Sequence, residues 1–280
     1  MNILLYRNKL KEHSKPLAIG IVEYLKHHGA KPFSEDGDAE TIGATPLSKI
    51  SPSEINFIIT LGGDGTILRA LHTHSDIEAP IMGINLGNLG FMTEAPLVEI
   101  YPSLNQLLNG NYVIENRLAM EGESSSNKKC FAVNDIVFHR ARNPTLIEIA
   151  IHVDGMYLNT FSADGVIFAT PTGSTAYSMS SGGPILTPEL NALVLTPICP
   201  HTISNRPIVL MPKDNIQIQY LSQLEPIEVI ADGYTSFEMK CDEFFYIRKS
   251  ARPYRLVNLP HHDYFSTLRS KLGWSGKLKV

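Results

Sequence analysis

Apolar positions in the first third of the chain follow two alternating rhythms. Asn2–Tyr6 is a short apolar run that reads as a strand. Leu17, Ile21, Val22 and Leu25 then recur at helical spacing, with Ser14 as the candidate cap, Pro16 in the tolerant first turn and Gly29 as the stop. The polar stretch Ser34–Ser51 predicts a mobile loop. Ile55–Leu61 (INFIITL) is a buried strand, Ile67–His74 (ILRALHTH) a helix, and Ile81–Asn85 a further strand. Strand–helix–strand alternation of this kind predicts a parallel sheet flanked by helices.

After Leu108 helical periodicity fades. Short β-prone runs take over, at Tyr112–Ile114, Phe131–His139, Ile147–Val153, Val166–Thr170, Ile208–Leu210, Ile216–Tyr220, Ile227–Ala231 and Phe244–Arg248. Turn residues separate them at short intervals, as in a β-sandwich or similar all-β unit. The reading is therefore an α/β domain over 1–100 and a β-rich domain over 101–261. A C-terminal helix within 262–280, at Tyr264–Leu272, returns to the first domain. No internal repeat or low-complexity segment is visible.

Composition narrows the function classes. Hydrophobic residues make up 43% of the 280 positions and charged residues 19%, which suits a full core and argues against disorder. The net charge is −4 and no stretch holds five like charges, so the sequence offers no basic arm for nucleic acid. Lys271, Lys277 and Lys279 read as a solvated tail. The apolar run before Arg7 is too short for a signal peptide, and no window approaches the ~18 apolar residues of a membrane span. Cys130, Cys199 and Cys241 are odd in number and widely spaced, with no zinc-like pairing. They read as reduced, mostly buried thiols of a cytoplasmic protein.

Four motifs carry the chemistry. Leu61-Gly62-Gly63-Asp64-Gly65-Thr66 joins a buried strand to a helix. Its glycines allow positive φ and close ligand approach, and backbone N–H groups at the helix start at Thr66 suit phosphates. A lone carboxylate there opposes a triphosphate unless it accepts a proton from an attacking hydroxyl or helps hold Mg²⁺. The alternative is a tight turn with Asp64 as its cap. The segment is neither a Walker A loop nor the dinucleotide GxGxxG. A second loop, Asn85-Leu86-Gly87-Asn88-Leu89-Gly90-Phe91-Met92-Thr93, places Phe91 where it could stack on a base or pack beneath the loop. Asn134-Asp135 interrupts a β-prone run, as ribose or adenine acceptors or as a turn. The densest stretch, Asp164 to Ser180 (DGVIFATPTGSTAYSMS), combines a stiff Pro171, a reversal at Gly173 and a hydroxyl-rich helix start from Thr175.

Taken in order, GGDGT, NLGFMT, the Asn-Asp pair and the 164–180 stretch resemble the signature of NAD kinases. The resemblance runs from about residue 55 to 275 and includes Pro200–Pro207 and Leu272-Gly273-Trp274. It implies an N-terminal α/β domain and a C-terminal β-rich domain, with the site at their interface. It also implies transfer of the ATP γ-phosphoryl group to the 2′-hydroxyl of the adenosine ribose of NAD, with NADH as a second candidate acceptor. Asp64 would be the general base, and Gly62, Gly63, Gly65 and Thr66 would cradle the donor phosphates. Phe91 would line the pocket, Asn134 and Asp135 would bind adenosine, and Asp164 would meet the nicotinamide end. Thr175, Ala176, Tyr177 and Ser180 would line the adenine pocket, and Ser178 and Met179 would also bind NAD, as would Tyr234 from an Asp232-Gly233-Tyr234 turn that resembles one often contributed near a subunit interface. The resemblance further implies Mg²⁺ or another divalent cation with ATP, no dedicated protein metal cage, and a homodimer or homotetramer. Ser162 stands where many bacterial relatives carry Arg, which leaves NADH acceptance open, and Asp135 stands where many carry Glu. A lipid kinase sharing GGDGT and a non-catalytic dinucleotide sensor are the alternatives. The polar, small-residue stretch at 171–180 suits a nucleotide better than a lipid.

Overall fold

Three stretches of the chain, Asn2–Arg7, Phe57–Gly62 and Ile81–Asn85, pair side by side as parallel strands whose runs are apolar on both faces, as the centre of a sheet covered on both sides requires. The computed structural model describes residues 1–280 except 88, 89, 94, 202–205, 213, 214, 261, 262 and 275–280. Parts of the second glycine loop, of the Pro200–Pro207 stretch and of the lysine tail thus lie outside the described residues.

The chain divides into two compact units. One is Met1–Asn116 with the described residues from Arg255 onward, and the other is Arg117–Tyr254. In the first, β1 (Asn2–Arg7), α1 (Ser14–His27), β2 (Lys31–Ser34), α2 (Asp36–Ile42), β3 (Thr45–Pro46), β4 (Phe57–Gly62), α3 (Asp64–Thr73), β5 (Ile81–Asn85), β6 (Ala95–Pro96), α4 (Ile100–Leu108) and β7 (Val113–Arg117) follow in order. The sheet order is β3-β2-β1-β4-β5, continued by the late strand β20 (Tyr254–Asn258) and by β7, with β6 beside β5. Pairing among β1 to β5 is parallel. Helix α1 buries Ala18, Ile21, Val22 and Leu25 at the expected spacing and stops where Gly29 takes φ +78°. Ser14 does not cap it. His13 holds that position, and the buried Ser14 hydroxyl donates to Asn8 O.

Two expectations are corrected here. The 34–51 segment is not a mobile loop. It carries the end of β2, helix α2 and β3. Its polar letters mislead because Asp38 is buried and accepts two bonds from the Arg7 guanidinium, Nε to Oδ2 at 2.7 Å and NH2 to Oδ1 at 2.5 Å. Burial pushes the Asp38 carboxyl up, but Arg7 and Thr41 outweigh it, and the group lies below the usual range. The boundary near residue 100 is also displaced. Ile100, Leu104 and Leu107 recur at helical spacing in α4 and bury in the core of the first unit.

The second unit holds β8 (Met120–Ser124), β9 (Lys129–Ala132), β10 (Asp135–His139), β11 (Ile147–Val153), β12 (Met156–Ala163), β13 (Gly165–Ala169), the short helix α5 (Tyr177–Ser180), β14 (Leu193–Ile198), β15 (Ile208–Leu210), β16 (Ile216–Tyr220), β17 (Ile227–Ala231), β18 (Thr235–Met239) and β19 (Phe244–Lys249). They form two antiparallel sheets, β15-β14-β13-β10-β17-β18 and β12-β11-β16-β19-β8-β9. Inward residues of both, including Ile136, Phe138, Phe168, Ile149, Phe161 and Phe245, share one core. Alternation such as Ile216, Ile218 and Tyr220 inside with Gln217 and Gln219 half-buried sets one face of each strand inward. The Phe131–His139 run is two strands, broken at Val133-Asn134. The last helix, α6 (Tyr264–Leu272), is capped by Asp263, which accepts from the Phe265 and Ser266 N–H groups. Among the described residues no helix is long and apolar enough to cross a membrane.

Candidate functional site

In the first unit the glycine turn leaves β4, which is fully buried, and enters α3 with Gly63 as N-cap and Asp64 as the first helical residue. None of its glycines takes positive φ, contrary to the sequence expectation. Gly62 is required instead by close approach, since a Cβ there would fall 2.0 Å from Thr66 Oγ1. Leu86 N donates to Gly62 O at 2.9 Å, which ties the second loop to the first. Helix α3 begins here, with Thr66 N donating to Gly63 O at 2.8 Å, and the positive end of its dipole favours phosphate oxygens.

Asp64 is half-buried. Its carboxylate accepts from Phe91 N at 2.8 Å on Oδ2 and from Met92 N at 3.1 Å on Oδ1. Gly90 makes this possible, because a Cβ on it would fall 1.9 Å from Oδ1. Asp64 is thus no simple cap: it fastens the Phe91–Met92 backbone to the start of α3. Gly90 N donates to the buried Thr93 hydroxyl at 3.0 Å and Gly87 N to Asn85 Oδ1 at 2.8 Å. The Phe91 ring is half-buried, 6.1 Å from the Tyr264 ring. Lys11 Nζ lies 3.1 Å from where a Gly87 Cβ would stand.

In the second unit, Asn134 fills the break before β10. Asp135 is 7% exposed, and its carboxyl is pushed up to about 7 by burial and then by the neighbouring Asp232. Thr170 N donates to Asn134 O at 2.8 Å, and the Thr170 hydroxyl donates to Val133 O. Gly173 does not reverse the chain by positive φ. It permits contact, since its Cβ would lie 2.0 Å from Asn134 O. Beyond it the chain makes a 3-10 turn at Gly173–Thr175, breaks at Ala176 and forms the single turn α5, not one continuous helix from Thr175.

The hydroxyls of this stretch divide. Ser174 donates to Pro171 O at 2.7 Å and accepts from Leu186 N at 2.9 Å. Ser178, expected to line a pocket, is fully buried and shares a 2.9 Å bond with Thr196; a Cβ on Gly183 would fall 2.2 Å from its oxygen. Both are internal braces. Thr175, Ala176 and Met179 are half-buried, and Tyr177 and Ser180 are exposed. The Tyr177 phenol is raised by burial and then by Cys199, Asp135 and Asp164. Asp164, between β12 and β13, contacts Arg140, Nε to Oδ1 at 2.7 Å. Ser162 accepts through its carbonyl from His201 N at 2.8 Å. Tyr234 is exposed on the turn after β17.

Asp232, Arg140 and Thr172 were not singled out as site residues from sequence. Thr172 Oγ1 and Asn134 Oδ1 are buried atoms without a hydrogen-bond partner among the described residues, an uncommon state for buried polar groups. The signal for Asp232 was the Asp-Gly step closing a β-run. Nothing local in the sequence pairs Arg140 with Asp164. Among the described residues no group of three His, Cys, Asp or Glu could hold a metal ion.

Comparison with known proteins follows the same two-part division. Residues 8–112 match the family model described as ATP-NAD kinase N-terminal domain, and 133–259 match the ATP-NAD kinase C-terminal domain. The chain is 54% identical over 278 residues to an NAD kinase of Protochlamydia amoebophila, covering 99% of this chain and 100% of that one. It is 39% identical over 271 residues to an NAD kinase of Geotalea daltonii, covering 92% and 95%. Its fold is similar to that of yeast NADH kinase complexed with NADH, with a TM-score of 0.89 at 26% identity over 100% of this chain and 89% of that one. An NAD kinase from Archaeoglobus fulgidus in complex with ATP aligns with a TM-score of 0.77 at 28% identity over 99% and 100%.

Proposed function

The chain belongs to the NAD kinase family, and from that premise we propose that Asp64 is the base of its phosphoryl transfer. The enzyme uses ATP to phosphorylate NAD at the 2′-hydroxyl of the adenosine ribose, giving NADP and ADP. The lipid-kinase and sensor alternatives are not favoured by this membership.

One observation carries the base assignment. Two backbone N–H groups fix the Asp64 carboxylate, and Gly90 leaves it free of a side chain on that flank. Each carboxylate oxygen has a further lone pair. One accepts the ribose 2′-hydroxyl proton while that oxygen attacks the γ-phosphorus in line and the ADP oxygen leaves with the bond electrons. Positioning and charge stabilisation supply most of the rate gain in such transfers. The glycine turn and the first turn of α3 hold donor phosphates.

Asn134, Asp135 and Tyr234 serve the adenosine portion, with Thr175, Ala176, Tyr177, Met179 and Ser180. Asp164 serves the nicotinamide end, and Arg140 holds its carboxylate. Ser162 carries no charge, which suits both NAD and NADH. Chromatography of products from ATP with either acceptor tests this.

The donor set fits Mg²⁺ arriving on ATP, not one resident in the protein, since Mg²⁺ is commonly held by one or two carboxylates plus substrate phosphates. Asp64 would be its protein ligand, and the ion would neutralise developing charge on the phosphates. The enzyme works as a homodimer or homotetramer in the cytoplasm, a reading that rests on family membership and on three unpaired cysteines; light scattering gives the oligomer count.

Asp64→Asn tests the base. Titration calorimetry should find NAD still bound, while NADP formation falls about 10³-fold, within the range of general-base contributions. Near-normal turnover would remove Asp64 from this role.

A further inference from the structure

Three consecutive backbone N–H groups at the break between β9 and β10 converge on one side chain. Val133 N donates to Asp232 Oδ2 at 2.8 Å, Asn134 N to Oδ1 at 2.7 Å and Asp135 N to Oδ1 at 3.1 Å. Asp232 follows β17 and lies 97 residues beyond Asp135. Its own N–H donates to Asp135 O at 3.0 Å. It is 8% exposed and holds φ at +51°, a left-handed conformation that Asp and Asn tolerate best after Gly.

This arrangement is costly for a mere turn. Asp135 beside it is also buried, and two neighbouring buried carboxylates oppose each other. The clamp fixes the backbone of Asn134 yet leaves its Oδ1 buried without a hydrogen-bond partner among the described residues. On the other side, Gly173 admits no Cβ against the same backbone.

We propose that Asp232 is a positioning residue for the dinucleotide: its carboxylate clamps the backbone of Val133–Asp135 so that Asn134 and Asp135 present their side chains to NAD in one orientation. The inference rests on the reading of those two residues as NAD ligands. Its charge adds a second consequence. The groups coupled electrostatically to Asp135 and Asp232 are Tyr177 on α5, raised in part by Asp135, and Cys130 on β9, whose thiol is pushed up to about 12 by burial and then by Asp232. Ala169, opposite Asp135 on β13, carries no charge. Burial is the larger cause of the raised Asp135 carboxyl and Asp232 the second, so NAD recognition through the ionised Asp135 should weaken on the acid side of neutrality.

The test is steady-state NADP formation by Asp232→Asn, with Asn134→Ala beside it. Asn keeps the left-handed backbone and two of the three bonds, but its amide group cannot accept from Val133 N. The KM for NAD should rise about tenfold, the effect of losing one hydrogen bond to a charged group, while the KM for ATP stays within about twofold. The acid limb of kcat/KM for NAD should move to lower pH, which a purely structural role would not produce. An unchanged KM and acid limb in Asp232→Asn, or an equal rise in both KM values, overturns the proposal when Asn134→Ala raises the KM for NAD. An unchanged KM in Asn134→Ala overturns instead the reading of the pair as NAD ligands. Should Asp232→Asn fail to fold, Asp232→Gly, free of strain at this φ, replaces it with the same expectations.

Discussion

Replacing Asp135 with Asn should make the protein more stable and a poorer enzyme, with the stability gain depending on pH. The carboxyl is pushed from 3.8 up to about 7, by burial first and by Asp232 second. That rise of about 3 in pKa is worth roughly 4 kcal/mol, at about 1.36 kcal/mol for each tenfold change in proton affinity. The sign follows from linkage. The folded protein keeps a proton that the unfolded chain releases, so the favourable contribution is complete below pH 3.8 and is lost as pH rises through about 7. The amide of the Asp135→Asn variant stays neutral throughout and avoids the loss. Calorimetric melts of both proteins should therefore nearly coincide near pH 4 and diverge with rising pH. The variant should gain on the order of 10 °C by pH 8. Over the same range its KM for NAD should rise, because the ionised acceptor is gone. A difference in Tm that stays constant between pH 5 and 8, or a variant less stable at pH 8, would refute the reasoning.

Other expectations are more local. Gly90→Ala places a methyl where Asp64 Oδ1 now sits, so the carboxylate must leave the Phe91 and Met92 N–H groups. Turnover should fall at least about 10²-fold with the circular dichroism spectrum unchanged, and a variant of normal kcat would show that this orientation is not needed. Among the thiols, Cys199 is exposed while Cys130 is partly buried and pushed up to about 12. Iodoacetamide at pH 8 should label Cys199 well before Cys130, and peptide mass spectrometry reads the order directly.

Much of the fold was legible because its signals are short-range. Ala18, Ile21, Val22 and Leu25 carry a helix by spacing alone, and the all-buried β4 is a continuous apolar run. The α2 region was not legible, because Asp38 looks like surface and is in fact neutralised by Arg7, 31 residues away. Helix α4 hid behind Pro102 and a short length, though its Ile100, Leu104 and Leu107 keep the period. At the candidate site the residue types were readable and their employments were not. Ser174 and Ser178 advertise hydroxyls that the fold consumes internally, whereas Thr172 keeps one without a partner among the described residues. A glycine written into a phosphate loop suggests a special φ, yet Gly62, Gly90 and Gly173 answer to a neighbour's atoms, which sequence cannot display.

The same device occurs in both units, and within each it ties together segments far apart in the sequence. Asp64 reaches 27 and 28 residues along the chain to hold two backbone N–H groups, and Asp232 reaches back 97 to 99 residues to hold three. In each case a carboxylate binds backbone, and nearby a glycine gives up its Cβ to close packing, Gly90 against Asp64 and Gly173 against the Asn134 backbone. A bond to backbone does not depend on the identity of the clamped side chain, so the side chains of Phe91, Asn134 and Asp135 are not used up by the clamp while their main chain is fixed. Asp64 and Gly90 have no such freedom, since lengthening one or adding a methyl to the other removes the space they share. Substitutions at Asp64 and Gly90 should therefore be non-additive, the double variant losing scarcely more turnover than either single one. Independent losses that multiply would mean that the two loops act separately.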